Sequence, residues 1–88
     1  MLNIAVLVSG GGTNLQALLD SEARGENPNG KITLVVASKP GVYALERAAK
    51  AGVEGVVVRR KDYASSEAFD AALLKTLKEH DIDLVVLA

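Results

Sequence analysis

The amino-acid sequence predicts an α/β protein built on a doubly wound parallel sheet. Short, almost continuously apolar runs alternate along the chain with segments whose apolar residues recur at helical spacing. The resulting order, β-α-β-α-β-α-β, is typical of parallel strands joined by right-handed crossover helices. Three glycines, Gly10 to Gly12, follow the first apolar run directly and lead into the first helical pattern. These three observations together define the fold class.

The predicted strands are the apolar runs, which glycine, proline, asparagine or charged residues separate. They span residues 2–8, 32–37, 55–58 and 83–88. Helices are predicted over residues 14–24 and 42–51 and from Ser65 or Ser66 to about His80, and residues 25–30 form a loop. We expect these elements to form a Rossmann-like half with four strands in the order 3-2-1-4.

Residue types at the helix ends support these boundaries. Thr13 and Asn14 can cap the first helix, and Pro40 is tolerated near the first position of the second. Gly52 stands where a C′ glycine would end the second helix. We expect Val42, Leu45 and Ala49 to face inward on the second helix, and Glu46, Arg47 and Lys50 to face outward.

The composition and charge of the chain exclude several classes of function. Eighty-eight residues with ten basic and eleven acidic side chains have a net charge of −1, and only two tyrosines and one phenylalanine are aromatic. Neither the net charge nor the number of aromatic side chains therefore indicates that the protein binds nucleic acid. The chain has no cysteine and a single histidine, His80, so it offers no cysteine site and no histidine zinc site. With no basic leader and no long apolar span, we expect a cytoplasmic protein and no membrane partner.

The glycine turn is the strongest functional signal. A strand, a glycine-rich turn and a helix N-terminus make an anion site, because free N–H groups and the helix dipole both favour negative charge there. The dinucleotide pattern G-x-G-x-x-G fails, since Leu15 occupies its third glycine position from Gly10. A P-loop fails as well, because Thr13 follows Gly12 without a lysine. A single phosphate monoester fits best, and a tight turn without a ligand is the alternative.

The same segment carries a resemblance. Residues 9–18, SGGGTNLQAL, resemble the motif S-G-x-G-[S/T]-N-x-x-A of the phosphoribosylglycinamide formyltransferase family. Further similar stretches follow in the family's order, and together they extend the resemblance over all 88 residues: Ser38–Pro40, Leu45–Ala48, Ala51–Val53 and Asp81–Ala88.

The resemblance implies a function and a site. Gly12, Thr13 and Asn14 would hold the phosphate of glycinamide ribonucleotide, which receives a formyl group from 10-formyltetrahydrofolate without a metal. The family's catalytic Asn, His and Asp lie in the second half of its sequence, so no catalytic residue is expected in this chain. The family often has Arg or Lys at the position of Ser66, on the folate side, and Ser66 cannot supply that charge.

The last predicted strand ends abruptly at Ala88, without a turn or a polar tail. In the order 3-2-1-4 this strand is an unprotected apolar edge, which complete proteins usually avoid. We therefore expect residues 1–88 to be the N-terminal, substrate-phosphate-binding part of a formyltransferase domain, truncated in strand 4. The partner that continues the sheet would be the C-terminal half of the same fold.

Other polar residues receive weaker interpretations. His80 is expected to be a solvated residue at a helix C-terminus, and the segment 59–61 a solvated loop that could otherwise grip a phosphate. Two alternatives to the family function stay open. One is a non-enzymatic nucleotide- or phosphate-binding module that shares the fold, and the other is a different folate-dependent formyltransferase.

Overall fold

The four apolar runs form one parallel sheet in the computed structural model, which describes residues 1–26 and 28–88. The strand order is β3-β2-β1-β4, so the predicted fold class and order are confirmed. The strands are β1 (Leu2–Val8), β2 (Gly30–Ala37), β3 (Glu54–Val57) and β4 (Leu84–Leu87). The helices are α1 (Thr13–Ala23), α2 (Tyr43–Lys50) and α3 (Ser66–Glu79), and a 3₁₀ turn spans Arg60–Asp62.

Most predicted boundaries lie within two residues of the observed ones. The start of α2 lies one residue after the predicted one, and its N-cap is Val42 in an extended conformation, so Pro40 precedes the helix instead of lying near its first position. Gly52 has φ 75°, as expected of a C′ glycine. Of the predicted loop 25–30, Asn27 lies outside the described residues.

The helices cover the two faces of the sheet. Helices α1 and α2 pack on one face, where the buried core contains Val6, Leu15 and Val35. Helix α3 lies on the other face, where Phe69, Leu73 and Leu77 are partly buried against a smaller cluster. In the described residues, no helix is both long enough and apolar enough to cross a membrane.

The inward face of α2 differs from the prediction. Ala44 and Ala48 are fully buried, whereas Ala49 is exposed, so the expected inward position of Ala49 is wrong. Ala44 and Ala48 are four residues apart and share one helix face, and residue 49 lies about 100° around the axis from residue 48. Small side chains on this face let α2 come close to its neighbours.

A bulge interrupts the pairing of β1 with β2. Ile4 pairs with Ile32 and Ala5 with Leu34, so Thr33 is the extra residue on β2. The insertion shifts the alternation of side chains by one. As a result Ile32 and Val35 both belong to the core under α1 and α2, although they are an odd number of positions apart along β2.

Polar groups at the amino edge of the sheet pair with one another. His80 ends α3, and its Nδ1–H donates to the Thr76 carbonyl at 2.8 Å while Nε2 lies 2.8 Å from Glu54 Oε2. The hydrogen bond to the Thr76 carbonyl and then the one to the Glu54 carboxylate raise the pKa of His80 above its usual value. His80 thus joins α3 to the first residue of β3, where the prediction had a solvated side chain.

This pairing predicts a pH-dependent contribution to stability. Because the pKa of His80 is higher in the folded than in the unfolded chain, the pair stabilises the fold below about pH 6.5 and loses this effect as the pH rises through the raised pKa. His80→Gln should therefore lower the free energy of unfolding by roughly 0.2–1 kcal/mol at about pH 5.5 and by less at about pH 9. Urea unfolding at both pH values measures this difference. Lys78→Gln removes a cation from the same helical turn and should show no such pH dependence; equal pH dependence in both variants would contradict the assignment.

Candidate functional site

The glycine loop, residues 9–12, connects the carboxyl end of β1 to α1. Strand β1 lies between β2 and β4, so the chain proceeds to one side through β2 and β3 and returns to the other side with β4. In doubly wound sheets, ligands bind outside the carboxyl ends of the strands at such a reversal of strand order. The loop therefore occupies the position where this fold class places its ligand.

Gly12 is the N-cap of α1 and has a left-handed conformation with φ 82° and ψ 33°. Its carbonyl accepts the first helical hydrogen bond, from the Gln16 N–H at 2.8 Å. Thr13 is thus the first helical residue, and no side chain caps this end. The prediction that Thr13 or Asn14 caps the helix is wrong, because the backbone conformation of Gly12 begins the helix one residue earlier. The Thr13 hydroxyl is not used in a cap.

The first turn of α1 presents donors without counter-charge. The N–H groups of Thr13, Asn14 and Leu15 precede the first residue that has an intrahelical acceptor. Thr13 and Asn14 are exposed, and the first turn contains no acidic side chain. The positive end of the helix dipole is therefore not neutralised from within the helix, and the turn can bind an anion.

Gly12 also sits at the contact between the loop and α2. A Cβ at this position would lie 2.7 Å from Ala44 Cβ and 3.0 Å from Ala44 Cα, which is too close for either atom. Both the positive φ and the close approach of α2 therefore require glycine at position 12. The fold itself accounts for this glycine.

Gly10 and Gly11 have a different environment. A Cβ at either position would meet nothing within 4 Å, and both residues are exposed. Neither packing nor a positive φ requires glycine there. These two residues leave the backbone of the loop open to solvent and accessible to a ligand.

Arg47 of α2 holds the loop from the side. Its Nε donates to the Gly11 carbonyl at 2.9 Å, and its Nη1 donates to Gln16 Oε1 at 3.1 Å. The guanidinium also lies over the Tyr43 ring, 4.6 Å from its centroid. Arg47 was predicted to face outward, which is wrong. Its helical position places it one turn after Ala44, beside the loop, and the sequence carries no signal for a contact 36 residues away.

The remaining candidate residues lie at opposite ends of the strands, which we call the carboxyl edge and the amino edge of the sheet. Lys39 and the segment 59–61 lie at the carboxyl edge, and Arg60 Nη2 donates to Ser66 Oγ at 3.1 Å. Ser65, not Ser66, caps α3 by accepting the Ala68 N–H. His80 lies at the opposite edge and does not approach the glycine loop. The described residues contain no cluster of three or more side chains that could hold a metal ion.

Comparison with known proteins identifies the family. Residues 2–88 match the formyl transferase family. The chain belongs to this family. The trifunctional purine biosynthetic protein adenosine-3 of Drosophila melanogaster is 44% identical over 86 residues, which cover 97% of this chain and 6% of that protein. Phosphoribosylglycinamide formyltransferase of Haemophilus influenzae is 40% identical over 88 residues, which cover 100% of this chain and 41% of that enzyme.

Solved formyl transferase structures have the same fold. Glycinamide ribonucleotide transformylase 1 from Symbiobacterium toebii superposes with a TM-score of 0.93 at 45% identity, over 100% of this chain and 41% of that one. The corresponding protein from Geobacillus kaustophilus superposes with a TM-score of 0.92 at 41% identity, over 99% of this chain and 46% of that one. The chain therefore spans less than half the length of these relatives.

The two kinds of glycine in the loop should respond differently to alanine. Gly12→Ala combines a positive φ with a collision against Ala44, and we expect it to lower the free energy of unfolding by about 2–4 kcal/mol. Gly11→Ala, the matched control, has open space and should change it by no more than about 0.5 kcal/mol. Urea titration followed by circular dichroism measures both. Equal losses would show that close packing at Gly12 does not determine the choice of glycine.

Proposed function

We propose that this chain is the N-terminal part of an enzyme that transfers a formyl group from 10-formyltetrahydrofolate to glycinamide ribonucleotide in purine biosynthesis. Membership of the formyl transferase family supports the reaction class. Relatives that match essentially the whole chain are a phosphoribosylglycinamide formyltransferase and trifunctional purine biosynthetic proteins. A cytoplasmic location and a folate-type formyl donor are parts of the same proposal.

Within that enzyme, Gly12, Thr13 and Asn14 would anchor the phosphate of glycinamide ribonucleotide. The observation that carries this assignment is the exposed first turn of α1, whose N–H groups precede any intrahelical acceptor and whose side chains include no acid. A phosphate there would accept hydrogen bonds from the backbone and from the Thr13 hydroxyl, both of which are stronger to a charged acceptor. Its position at the strand-order reversal supports a ligand site.

Anchoring contributes to the reaction through position. Formyl transfer forms a bond between the substrate amine nitrogen and the formyl carbon and breaks the bond between that carbon and the donor nitrogen, and the proton lost by the amine is balanced by the proton that the donor nitrogen gains. A phosphate held at the glycine loop fixes one end of the ribonucleotide and limits where its amine can lie. Arg47 would keep the loop in place, because its guanidinium bonds the Gly11 carbonyl and the Gln16 side chain together.

We also propose that residues 1–88 form one part of a larger formyltransferase domain, whose other half supplies the catalytic Asn, His and Asp. Strand β4 is the edge of the sheet, and Leu87 is 80% exposed there. Beside it, an apolar groove of about 300 Å³ runs between α1 and the sheet and includes Leu18, Leu84 and Val86. A further strand and helix would cover this edge and this groove.

The phosphate assignment predicts a selective loss of affinity. In the intact enzyme, Thr13→Val removes one donor to a charged acceptor and should raise the dissociation constant for glycinamide ribonucleotide roughly 10- to 150-fold. Thr76→Val is the matched control, since the Thr76 hydroxyl donates to the Ala72 carbonyl on α3. Isothermal titration calorimetry measures both. Unchanged affinity in Thr13→Val would remove Thr13 from the site.

If the catalytic residues lie outside residues 1–88, the intact enzyme should be active and the 88-residue chain alone should not. The intact enzyme should produce formylated ribonucleotide from the two substrates, whereas the 88-residue chain alone should produce none, because the proton-handling groups are expected elsewhere. A spectrophotometric assay of folate product measures both. Turnover by the 88-residue chain would contradict this placement of the catalytic residues. Phosphate binding without any turnover in the intact protein would favour the non-enzymatic module.

A further inference from the structure

A second feature of the carboxyl edge is a cleft between the connections that follow β2 and β3. It has a volume of about 520 Å³, and we call it the basic cleft; it is lined by Ser38, Lys39, Pro40, Arg59, Arg60 and Lys61. The backbone holds its two walls together, because the Val58 N–H donates to the Ala37 carbonyl at 3.0 Å. The cleft shares no lining residue with the glycine loop.

Four of the six lining residues are cations, in a chain whose net charge is −1. Lys39 comes from the loop after β2 and the other three from the segment after β3, so the folded chain brings together charges that are 20 to 22 positions apart in sequence. Like charges in one cleft repel each other, and nearby low-dielectric walls strengthen the potential inside. A ligand of opposite charge relieves that repulsion.

The acidic side chains of the described residues do little to balance these cations. Arg59 has one contact with a carboxylate, Asp62 Oδ2, at 4.0 Å. Arg60 donates instead to neutral oxygens, the Tyr63 carbonyl at 3.3 Å and Ser66 Oγ at 3.1 Å. In residues 1–26 and 28–88, neither Lys39 nor Lys61 forms an ion pair or a side-chain hydrogen bond. The neutral partners orient Arg60 without removing its charge.

We propose that the basic cleft is a second anion site, which takes a ligand carrying two or more phosphate or carboxylate groups. Two neighbouring anionic groups match the spread of the cations over both walls better than one. Arg60 provides a guanidinium oriented by the Tyr63 carbonyl, and Lys39 and Lys61 provide ammonium groups from opposite walls. This proposal goes beyond the proposed function, because anion binding in the basic cleft depends neither on formyl transfer nor on phosphate binding at the glycine loop.

Calorimetric titration of the intact protein with inorganic pyrophosphate, and separately with triglutamate, tests the proposal. We expect saturable binding of at least one probe, weakened roughly 10-fold or more in the double variant Lys39→Gln/Lys61→Gln. The probe that binds more tightly identifies the source of the anion as a phosphate or a carboxylate ligand. Raising the salt concentration should weaken binding of the preferred probe.

Two controls make the test decisive. Lys75→Gln/Lys78→Gln removes the same charge from the exposed surface of α3 and should leave binding unchanged. Thr13→Val reports on any probe bound at the glycine loop and should leave the binding event that depends on Lys39 and Lys61 unchanged. An equal loss in both double variants would overturn the proposal in favour of long-range charge alone. A loss confined to Thr13→Val, or no saturable binding of either probe, would overturn it as well.

Formyl transfer is not measured in this experiment, so failure of the proposed enzymatic function leaves its result interpretable. Thermal unfolding of each variant checks that the fold is retained. The substituted lysines are exposed and form no side-chain hydrogen bond or ion pair within the described residues, so their replacement by glutamine should shift the unfolding midpoint little.

Discussion

The arrangement of the glycine loop depends on the contact between Gly12 and Ala44. Helix α2 can approach the loop only because neither position carries a side chain larger than a methyl group. That approach also places Arg47, one helical turn later, against the Gly11 carbonyl and the Gln16 side chain. A packing constraint and a hydrogen-bonding constraint therefore act on the same four-residue loop, and both come from one face of α2.

The fold was largely predictable because its signals are local. Apolar runs and helical spacing depend on neighbouring residues, and the right-handed crossover rule then converts their order into the sheet order β3-β2-β1-β4. The failures arise where distant packing decides. The bulge at Thr33 depends on the pairing of β2 with β1, and the burial of Ala44 and Ala48 in place of Ala49 depends on how α2 docks.

The candidate site was predictable in its backbone and not in its side chains. A glycine run between a strand and a helix identifies the loop, since the motif and its geometry are contiguous in sequence. The different roles of the three glycines could not be predicted from the sequence, because only the folded chain brings Ala44 to Gly12 and leaves Gly10 and Gly11 open to solvent. Arg47 and the meeting of Lys39 with Lys61 are likewise consequences of topology, which no short window of sequence contains.

Polar groups at the amino edge of the sheet are paired with one another, whereas those at the carboxyl edge largely lack acidic partners in the described residues. At the amino edge, His80 pairs with Glu54, and Asn3 exchanges hydrogen bonds with the segment 81–83. These groups satisfy each other and hold the ends of α3 and β4 in place. At the carboxyl edge, the first turn of α1 presents donors without an acid, and the basic cleft collects cations with a single distant carboxylate. The donors of the first turn of α1 and the cations of the basic cleft both lie at the carboxyl ends of the strands, and their common location supports the proposal that anionic ligands bind there.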